Sequence, residues 1–308
     1  MTLRLIIFRT LLAAFTAALI SGSALACDPQ TEECVEVGSW QFSLGIGAGV
    51  RTNPVDDASD IPLVLLPEVS YSGEHFFIDN LDFGAILWDG SNQQLNLLAT
   101  PSYDQVYFHR WSPSNFFINA NSFATAAKSG NEAGAETEGN PVIDMSDNGS
   151  LVAPEEGATQ ERDERDRHTA GMGGLEYYLF TPLVDVQLVL LSDFTAVHYG
   201  EEARISLGKY WASGRHHVSA SVGAIWQSSE IINYYYGVTS AEADENGPYS
   251  TDAAWTPLVS VDWNYQLTER WDVRLLANYR QLPDEIAASP LINDNKVITV
   301  FIGGVYHF

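Results

Sequence analysis

The sequence has little positive charge. Only 15 Lys and Arg residues stand against 40 Asp and Glu, which gives a formal net charge of −25 over 308 residues. Nucleic-acid binding depends on a basic surface that neutralises phosphates, so this composition argues against a nucleic-acid partner. Charged residues are also few overall, at 18%, whereas apolar residues make up 45%. The composition therefore leaves room for a large core or a lipid-facing band.

Long apolar runs are absent after the first 26 residues. No later stretch reaches the roughly 18 to 20 apolar residues that a membrane-spanning helix needs. In lipid, only helices and closed barrels satisfy all of their backbone polar groups. If this chain spans a membrane, it must therefore do so with β-strands.

Residues 1–26 are predicted to be a secretory signal peptide. Arg4 and Arg9 supply positive charge, Leu11 to Ile20 supply a short apolar run, and Ala24-Leu25-Ala26 fits a small-x-small cleavage site. The alternative is a transmembrane helix, which the short run disfavours. We expect export, residues 27–39 as a periplasmic N-terminal segment, and residues 40–308 as the main domain.

The chain has two cysteines, Cys27 and Cys34. In an exported protein, two cysteines at this spacing are candidates for a disulfide that closes a small loop. Because Cys27 would be the first mature residue, a lipoprotein is the alternative, although Ala24 stands where a lipoprotein signal usually has Leu. No base partner can be named that would activate either thiol as a nucleophile.

Motifs for common catalytic chemistry are missing. There is no Gly-rich phosphate loop after a strand, no His-Glu-x-x-His and no Gly-x-Ser-x-Gly. His216 and His217 are adjacent, so on a strand they point to opposite faces and cannot chelate one metal together. We expect no catalytic residue, cofactor or metal, and the remaining enzyme alternative is an undetected site on a barrel rim.

Period-two alternation runs through the chain and predicts an all-β fold. From Trp40 to Arg51 and again from Val297 to Phe308, large apolar residues recur at every second position. This pattern is typical of strands with one apolar face. Further strands are predicted at 61–71, 75–88, 93–103, 168–180, 184–198, 202–211, 218–226, 255–265 and 271–280. A fifth strand is predicted within 104–123, because about 12 strands bring both chain ends to the same side.

Three features favour a transmembrane antiparallel barrel over a soluble one. A ring of about 12 strands has a lumen too wide to fill with side chains, so its polar face looks inward. Short links alternate with longer ones, as periplasmic turns alternate with outer loops. Seven tryptophans lie near strand ends, which suits two interfacial belts; they are Trp40, Trp88, Trp211, Trp226, Trp255, Trp263 and Trp271. The residues predicted to line the lumen are Arg51, Arg204, Asp262, Asp272, Arg274 and Arg280, and Tyr306 and Phe308 form the candidate barrel-closing signal.

Residues 124–167 differ in composition from the strands. They contain 11 acidic against 4 basic residues and are rich in Gly, Ala and Asn. We predict a long, solvated outer loop. The mixed-charge run Glu161 to Arg167 is either the solvated stem of this loop or a contact for cations or lipopolysaccharide.

Several segments together resemble the MipA/OmpV family of MltA-interacting outer-membrane proteins. They are Leu44 to Val50, Tyr236-Gly237-Val238, Leu267 to Trp271, Ala288-Ser289-Pro290-Leu291 and the ending Gly303 to Phe308. The resemblance implies an outer-membrane barrel, and the best-known member is described as a scaffold joining a lytic transglycosylase to a bifunctional murein synthase. It offers no catalytic motif to transfer. The acidic loop 124–167 departs from the family pattern.

Three functions stay open at this point. The resemblance favours a scaffold for murein-remodelling enzymes at the outer membrane. The polar face of the strands favours a pore for small solutes. The acidic loop favours a surface-binding or adhesion protein that contacts lipopolysaccharide.

Overall fold

The computed structural model describes residues 37–108, 115, 165–243 and 247–308. Twelve antiparallel strands form a closed barrel, which confirms the predicted fold class. The strands are β1 Ser39–Arg51, β2 Ile61–Ser72, β3 Phe76–Asp79, β4 Asp82–Gly90, β5 Gln93–Pro101, β6 Gly171–Leu179, β7 Asp185–Asp193, β8 Glu201–Ser213, β9 His216–Gln227, β10 Ala254–Gln266, β11 Trp271–Gln281 and β12 Lys296–His307. The links include a 3₁₀ helix at Asp104–Tyr107, α1 at Ser229–Tyr235 and α2 at Asp284–Ala287. Within the described ranges, no helix is both long enough and apolar enough to cross a membrane.

The last strand closes the barrel by pairing with the first. Tyr306 lies opposite Leu44 of β1 and opposite Trp271 of β11. The backbone amide of Phe308 donates to the carbonyl of Phe42 at 3.0 Å, which continues the ladder past β12. Both edges of β12 are therefore hydrogen-bonded, and the barrel has no open seam here.

The outward face of the strands is apolar, whereas the inward face carries polar side chains together with buried apolar ones. Along β7, Leu188 and Leu190 are 40% and 63% exposed, whereas the alternate residues Val189 and Leu191 are buried. The same outward band includes Trp40, Ile46, Phe83, Leu97, Leu175, Ile205, Val222, Val259, Leu275 and Ile302, all exposed. The inward face buries Asn96, Glu176, Gln187, Arg204, Asp262 and Arg274. A soluble barrel has the reverse arrangement, so the outward apolar face is the one that meets lipid.

The two ends of the barrel have links of different length. At one end, called the turn end here, the links are 73–75, 91–92, 180–184, 214–215 and 267–270, and β1 begins and β12 ends there. At the other, the loop end, they are 52–60, 102–170, 194–200, 228–253 and 282–295, and the two-residue link 80–81 after the short β3 is on the same side. Outer-membrane barrels place their short turns in the periplasm. We therefore infer that the turn end faces the periplasm.

The described tryptophans fall at these two ends. Five lie near the turn end, namely Trp40, Trp88, Trp211, Trp263 and Trp271. Trp226 and Trp255 lie directly opposite each other on β9 and β10 at the loop end. Amphipathic indole rings collect where acyl chains give way to headgroups, so this placement fits two membrane interfaces.

Two predicted strands differ from the observed ones in kind, and the predicted strand 184–198 ends earlier, at Asp193. The predicted strand 75–88 is two strands, β3 and β4, because Asn80 turns the chain with a φ of 56° and its Oδ1 accepts from the Val69 amide at 2.9 Å. The predicted fifth strand is wrong in its described part, since Asp104–Tyr107 is a 3₁₀ helix and β5 pairs directly with β6. Residues 109–114 and 116–123 lie outside the described residues. The strand count of twelve is reached because the short β3 takes the place of that strand.

One edge of β2 lacks a strand partner among the described residues. β2 pairs with β3 only over Ser70–Ser72, and Val69 bonds to Asn80, so positions 61–68 have no described strand partner on the side away from β1. In β1 the even-numbered residues bond to β12, as the bond from the Phe308 amide to the Phe42 carbonyl fixes. Pro62 and Pro67 lie opposite even-numbered residues, so their nitrogens face the free edge. Proline removes no ladder bond there, and it blocks the addition of a foreign strand.

Candidate functional site

The lumen is closed at the loop end by a packed core, called the plug here. It consists of the 3₁₀ helix, α1, α2 and the residues that join them to the strands. Val106, Tyr107, Ile231, Ile232, Tyr235, Tyr236, Leu282 and Ile286 form one buried cluster with the inward wall residues Leu98, Met172, Val189, Leu191, Ala254 and Val297. Tyr235 and Tyr236 have no exposed surface at all. The expectation of an unfilled lumen is therefore wrong at this end, because folded links fill it.

One carboxylate ties the plug to the barrel wall. Asp104 of the 3₁₀ helix accepts hydrogen bonds from Gln227 Nε2, from Tyr236 Oη at 3.2 Å and from Arg280 Nη1 at 3.3 Å. Gln227 Nε2 also donates to Glu202 Oε2 at 3.1 Å. Asp104 is 3% exposed, so these bonds form in a medium of low dielectric constant where their loss is costly. The 3₁₀ helix is thus held to β9, to β11 and to Tyr236 at the end of α1 through one side chain.

Tyr236 of the plug and the nearby His198 both stay neutral. Burial, and then the charge of Asp104, raise the pKa of the Tyr236 hydroxyl, so this group remains a donor to Asp104. In the link after β7, burial lowers the pKa of His198 although the Asp193 carboxylate opposes this. His198 Nδ1 accepts from the Gly200 amide at 3.0 Å, which assigns the proton of the neutral ring to Nε2.

Two arginines hold the end of the acidic loop against α1. Arg167 Nε donates to the carbonyl of Tyr235 at 2.7 Å, and Arg165 Nη2 donates to that of Tyr234 at 2.5 Å. These carbonyls belong to the C-terminal turn of α1, where positive charge is favoured. Arg167 is 2% exposed, so the interpretation of the run Glu161 to Arg167 as a solvated stem is wrong for this residue. Residues 124–164 lie outside the described residues, and the contact with cations or lipopolysaccharide stays a prediction.

An ionic triad lies on the inner wall nearer the turn end, with Arg274 and Asp262 buried and Glu68 partly exposed. Arg274 of β11 donates through Nη2 and Nε to Asp262 Oδ2 at 2.5 and 2.9 Å, and through Nη1 to Glu68 of β2. Ser43 Oγ donates to the other oxygen of Glu68 at 3.0 Å. Two carboxylates thus share one guanidinium, and each half of the triad depends on that group for neutralisation.

A third polar cluster lies on β5, β6 and β7. Glu176 accepts from Asn96 Nδ2 at 3.0 Å, from Gln187 Nε2 at 2.9 Å and from Tyr178 Oη at 2.7 Å. Ser206 Oγ of β8 donates to Gln187 Oε1 at 3.0 Å. Glu176, Gln187 and Ser206 therefore bond to neighbouring side chains of the wall.

The six residues predicted to line the lumen occupy different environments. Asp262, Arg274 and Arg204 are buried, and Arg204 Nε lies 2.5 Å from Glu202 Oε1. Arg280 bonds to the plug, as described above. Arg51 Nη1 donates to Asn115 Oδ1 at 3.1 Å. Asp272 lies at the turn end, where His307 Nε2 is 2.9 Å from its Oδ2.

Sequence reasoning missed Glu68, Asp104 and Glu202, which are the ion-pair partners of Arg274, Arg280 and Arg204. It also missed Glu176, which accepts hydrogen bonds from neutral side chains. Glu68 follows the inward residue Leu66 by two positions, so strict alternation could have placed it in the lumen. The prolines of β2 hid that alternation. Asp104 had no comparable signal, because it lies in a link.

The remaining predictions concern the adjacent histidines, metal binding and the two cysteines. His216 Nδ1 accepts from Trp263 Nε1 at 3.2 Å, while His217 Nδ1 lies 2.5 Å from Tyr210 Oη, so the two rings make separate contacts. The described part of the chain contains no group of three or more His, Cys, Asp or Glu side chains that could hold a metal ion. Cys27 and Cys34 lie outside the described residues.

An open cleft lies on the rim of the turn end. Its volume is about 750 Å³, and it is called the rim cleft here. Arg215 from the β8–β9 turn and Arg270 from the β10–β11 turn contribute to its lining, together with Trp271 and Tyr306. The Gln266 amide donates to the Arg215 carbonyl at 2.9 Å, which joins the two turns.

Comparisons with known proteins give a consistent family. The family described as "MltA-interacting protein MipA" matches residues 44–308. The MltA-interacting protein of Escherichia coli is 25% identical over 270 residues, which is 87% of this chain and 90% of that protein. Outer membrane protein OmpV of Vibrio cholerae is 29% identical over 87 residues, 28% of this chain and 34% of that protein. Among solved structures, OmpT of Vibrio cholerae, with 88% of this chain and 100% of that chain covered, has 6% identity and a TM-score of 0.34.

Proposed function

This chain belongs to the MipA family of MltA-interacting proteins, and from that premise we propose that it is a non-enzymatic scaffold of the outer membrane. In this proposal, its periplasmic face holds murein-remodelling enzymes, a lytic transglycosylase and a bifunctional murein synthase, against the barrel. The observation that carries the proposal is the family match, which extends through the whole barrel from residue 44 to residue 308. The chain itself is an outer-membrane β-barrel protein.

The packing of the lumen supports a scaffold more than a solute pore. The plug blocks the loop end with a continuous apolar core. Elsewhere on the inner wall, Arg204 pairs with Glu202 of its own strand, and Arg274 pairs with Asp262 and Glu68 of other strands. A conducting pore instead needs a water-filled path lined by accessible polar groups.

The turn end is the surface available to a periplasmic partner. Its links are short and therefore rigid, which limits the entropy lost on binding. With the turn end in the periplasm, these turns are the parts of the barrel that reach a murein enzyme. Residues 37 and 38, which lead into β1, emerge on the same side.

The proposal is tested by capture from native envelopes. The protein is given an affinity tag, cross-linked in cells and extracted in mild detergent. A lytic transglycosylase, with or without a murein synthase, is expected to be purified together with it. An unrelated barrel of similar size, tagged in the same way, supplies the background. Recovery of neither enzyme above that background would remove the scaffold function.

A further inference from the structure

The rim cleft lies where the apolar band of the barrel ends. Trp271 and Tyr306 are on the outward face of β11 and β12, with ring centroids 5.1 Å apart, and Tyr306 lies 5.0 Å from Phe308. Trp271 and Phe308 are exposed. Such a group of aromatic rings at a strand end marks the depth at which acyl chains meet headgroups. Whatever occupies the cleft is therefore at the membrane interface.

The cleft presents two guanidinium groups at that depth. Arg215 and Arg270 are both exposed, and neither has an ion-pair partner among the described residues. The lining contains one carboxylate, Glu269, against these two cations. Guanidinium groups bind phosphate oxygens in a planar, two-pronged geometry, so a phosphate matches this pair.

The backbone that carries the cleft is fixed before any ligand binds. The amides of Leu267 and Thr268 both donate to the Trp271 carbonyl, at 2.8 and 3.1 Å. Thr268 Oγ1 accepts from the amides of Arg270 and Trp271 at 3.3 and 3.1 Å. These bonds fix the backbone from which the Arg270 side chain extends. Arg270 Nη1 lies 3.5 Å from Tyr306 Oη. A ligand therefore has little backbone to order on binding.

We propose that the rim cleft binds the phosphate headgroup of an anionic phospholipid. The acyl chains of this lipid lie along the exposed aromatic rings, and its phosphate lies between the two turns. With the turn end in the periplasm, the lipid belongs to the inner leaflet of the outer membrane. The positive charge of the two arginines is the reason for choosing an anionic lipid. The chain as a whole has a formal net charge of −25 and repels such a lipid elsewhere.

Native mass spectrometry of the full chain, released from mixed phosphatidylglycerol and phosphatidylcholine micelles, tests the proposal. Wild-type protein is expected to retain phosphatidylglycerol in preference to phosphatidylcholine. Arg215→Gln and Arg270→Gln are each expected to reduce that retention by about fivefold, the usual effect of one basic residue near anionic lipid. The matched control is Lys296→Gln, which removes one exposed positive charge at the loop end.

Two results would overturn the proposal. One is the absence of a preference for phosphatidylglycerol in the wild type. The other is a double Arg215→Gln/Arg270→Gln variant that keeps the preference while showing normal heat-modifiable migration. If the double variant loses capture of a periplasmic protein but keeps its lipid preference, the cleft binds protein instead. A double lysine variant, which keeps both charges, is expected to retain most of the lipid and controls for folding.

Discussion

Replacing Arg274 with alanine is expected to lower the free energy of unfolding by roughly 3–5 kcal/mol. The change leaves the buried Asp262 and the partly exposed Glu68 without the guanidinium that neutralises both of them. An uncompensated buried charge costs far more than the ion pair itself contributes, because desolvation is no longer offset. This loss is measured by unfolding the protein in lipid vesicles with urea. The folded fraction at each urea concentration is read from heat-modifiable gel migration.

The control for this prediction is Lys296→Ala, which removes an exposed positive charge at the loop end. Such a surface change is expected to alter the free energy of unfolding by less than about 0.5 kcal/mol. A triple variant, Glu68→Gln, Asp262→Asn and Arg274→Met, removes all three charges and should recover most of the stability. If Arg274→Ala costs under about 1 kcal/mol, the triad does not hold the lumen together.

Replacing Asp104 with alanine is expected to open the barrel to ions. Wild-type protein should show no steady conductance in planar bilayers, because the plug fills the loop end. Without Asp104, the Arg280 guanidinium loses its carboxylate, and Gln227 and Tyr236 lose an acceptor. A destabilisation of about 3 kcal/mol or more would raise the open fraction by at least about 100-fold. Single-channel recording detects this as conducting events that the wild type lacks.

Asp284→Ala is the matched control, since Asp284 carries the same charge near the loop end but is exposed. It should leave the barrel closed. Steady conductance from wild-type protein would mean that the plug does not seal the lumen. A closed Asp104→Ala variant would mean that apolar packing alone holds the plug in place.

The barrel was predictable because its signal is periodic and repeats in every strand. Alternation over Trp40 to Arg51 already separates the outward residues Phe42, Ile46 and Val50 from the inward glycines. The strand count then decided between a soluble and a membrane barrel, since only a wide ring keeps its polar face inside. The requirement that both chain ends lie on the same side of the membrane gave the right number of strands. It placed one of them in the wrong segment, because the requirement fixes how many strands cross the membrane and not which residues form them.

The plug was not predictable in the same way. α1 begins after Ser228, with Ile231 and Ile232 buried, but seven helical residues are too few to show a clear 3.6-residue period. The segment after β5 contains the aromatic residues Tyr103, Tyr107 and Phe108, which favour the prediction of a strand. It folds as a 3₁₀ helix because Asp104 finds its partners on β9, β11 and α1, at separations of more than 100 residues. Alternation within a segment contains no information about such distant contacts.

The ionic contacts were likewise predictable only in part. The inward position of Arg274 follows from alternation along β11. Its partner Glu68 lies 206 residues away, on a strand whose prolines break the pattern. The rim cleft is likewise built from two turns that are separate in the chain and are joined through the bond from Gln266 to Arg215. Sequence patterns identify which face a residue occupies, and the strand register decides what it meets there.

The scaffold proposal and the phospholipid site both require the turn end of the barrel to face the periplasm. Single cysteines introduced by Ser91→Cys at the turn end and Ser250→Cys at the loop end, in a background with Cys27 and Cys34 changed to serine, test this directly. Both serines are exposed, so the two substitutions are chemically matched. A membrane-impermeant maleimide applied to intact cells is expected to label the cysteine at 250, and to label the one at 91 only after the outer membrane is permeabilised. Labelling of position 91 in intact cells, with position 250 protected, would contradict the orientation and with it both proposals.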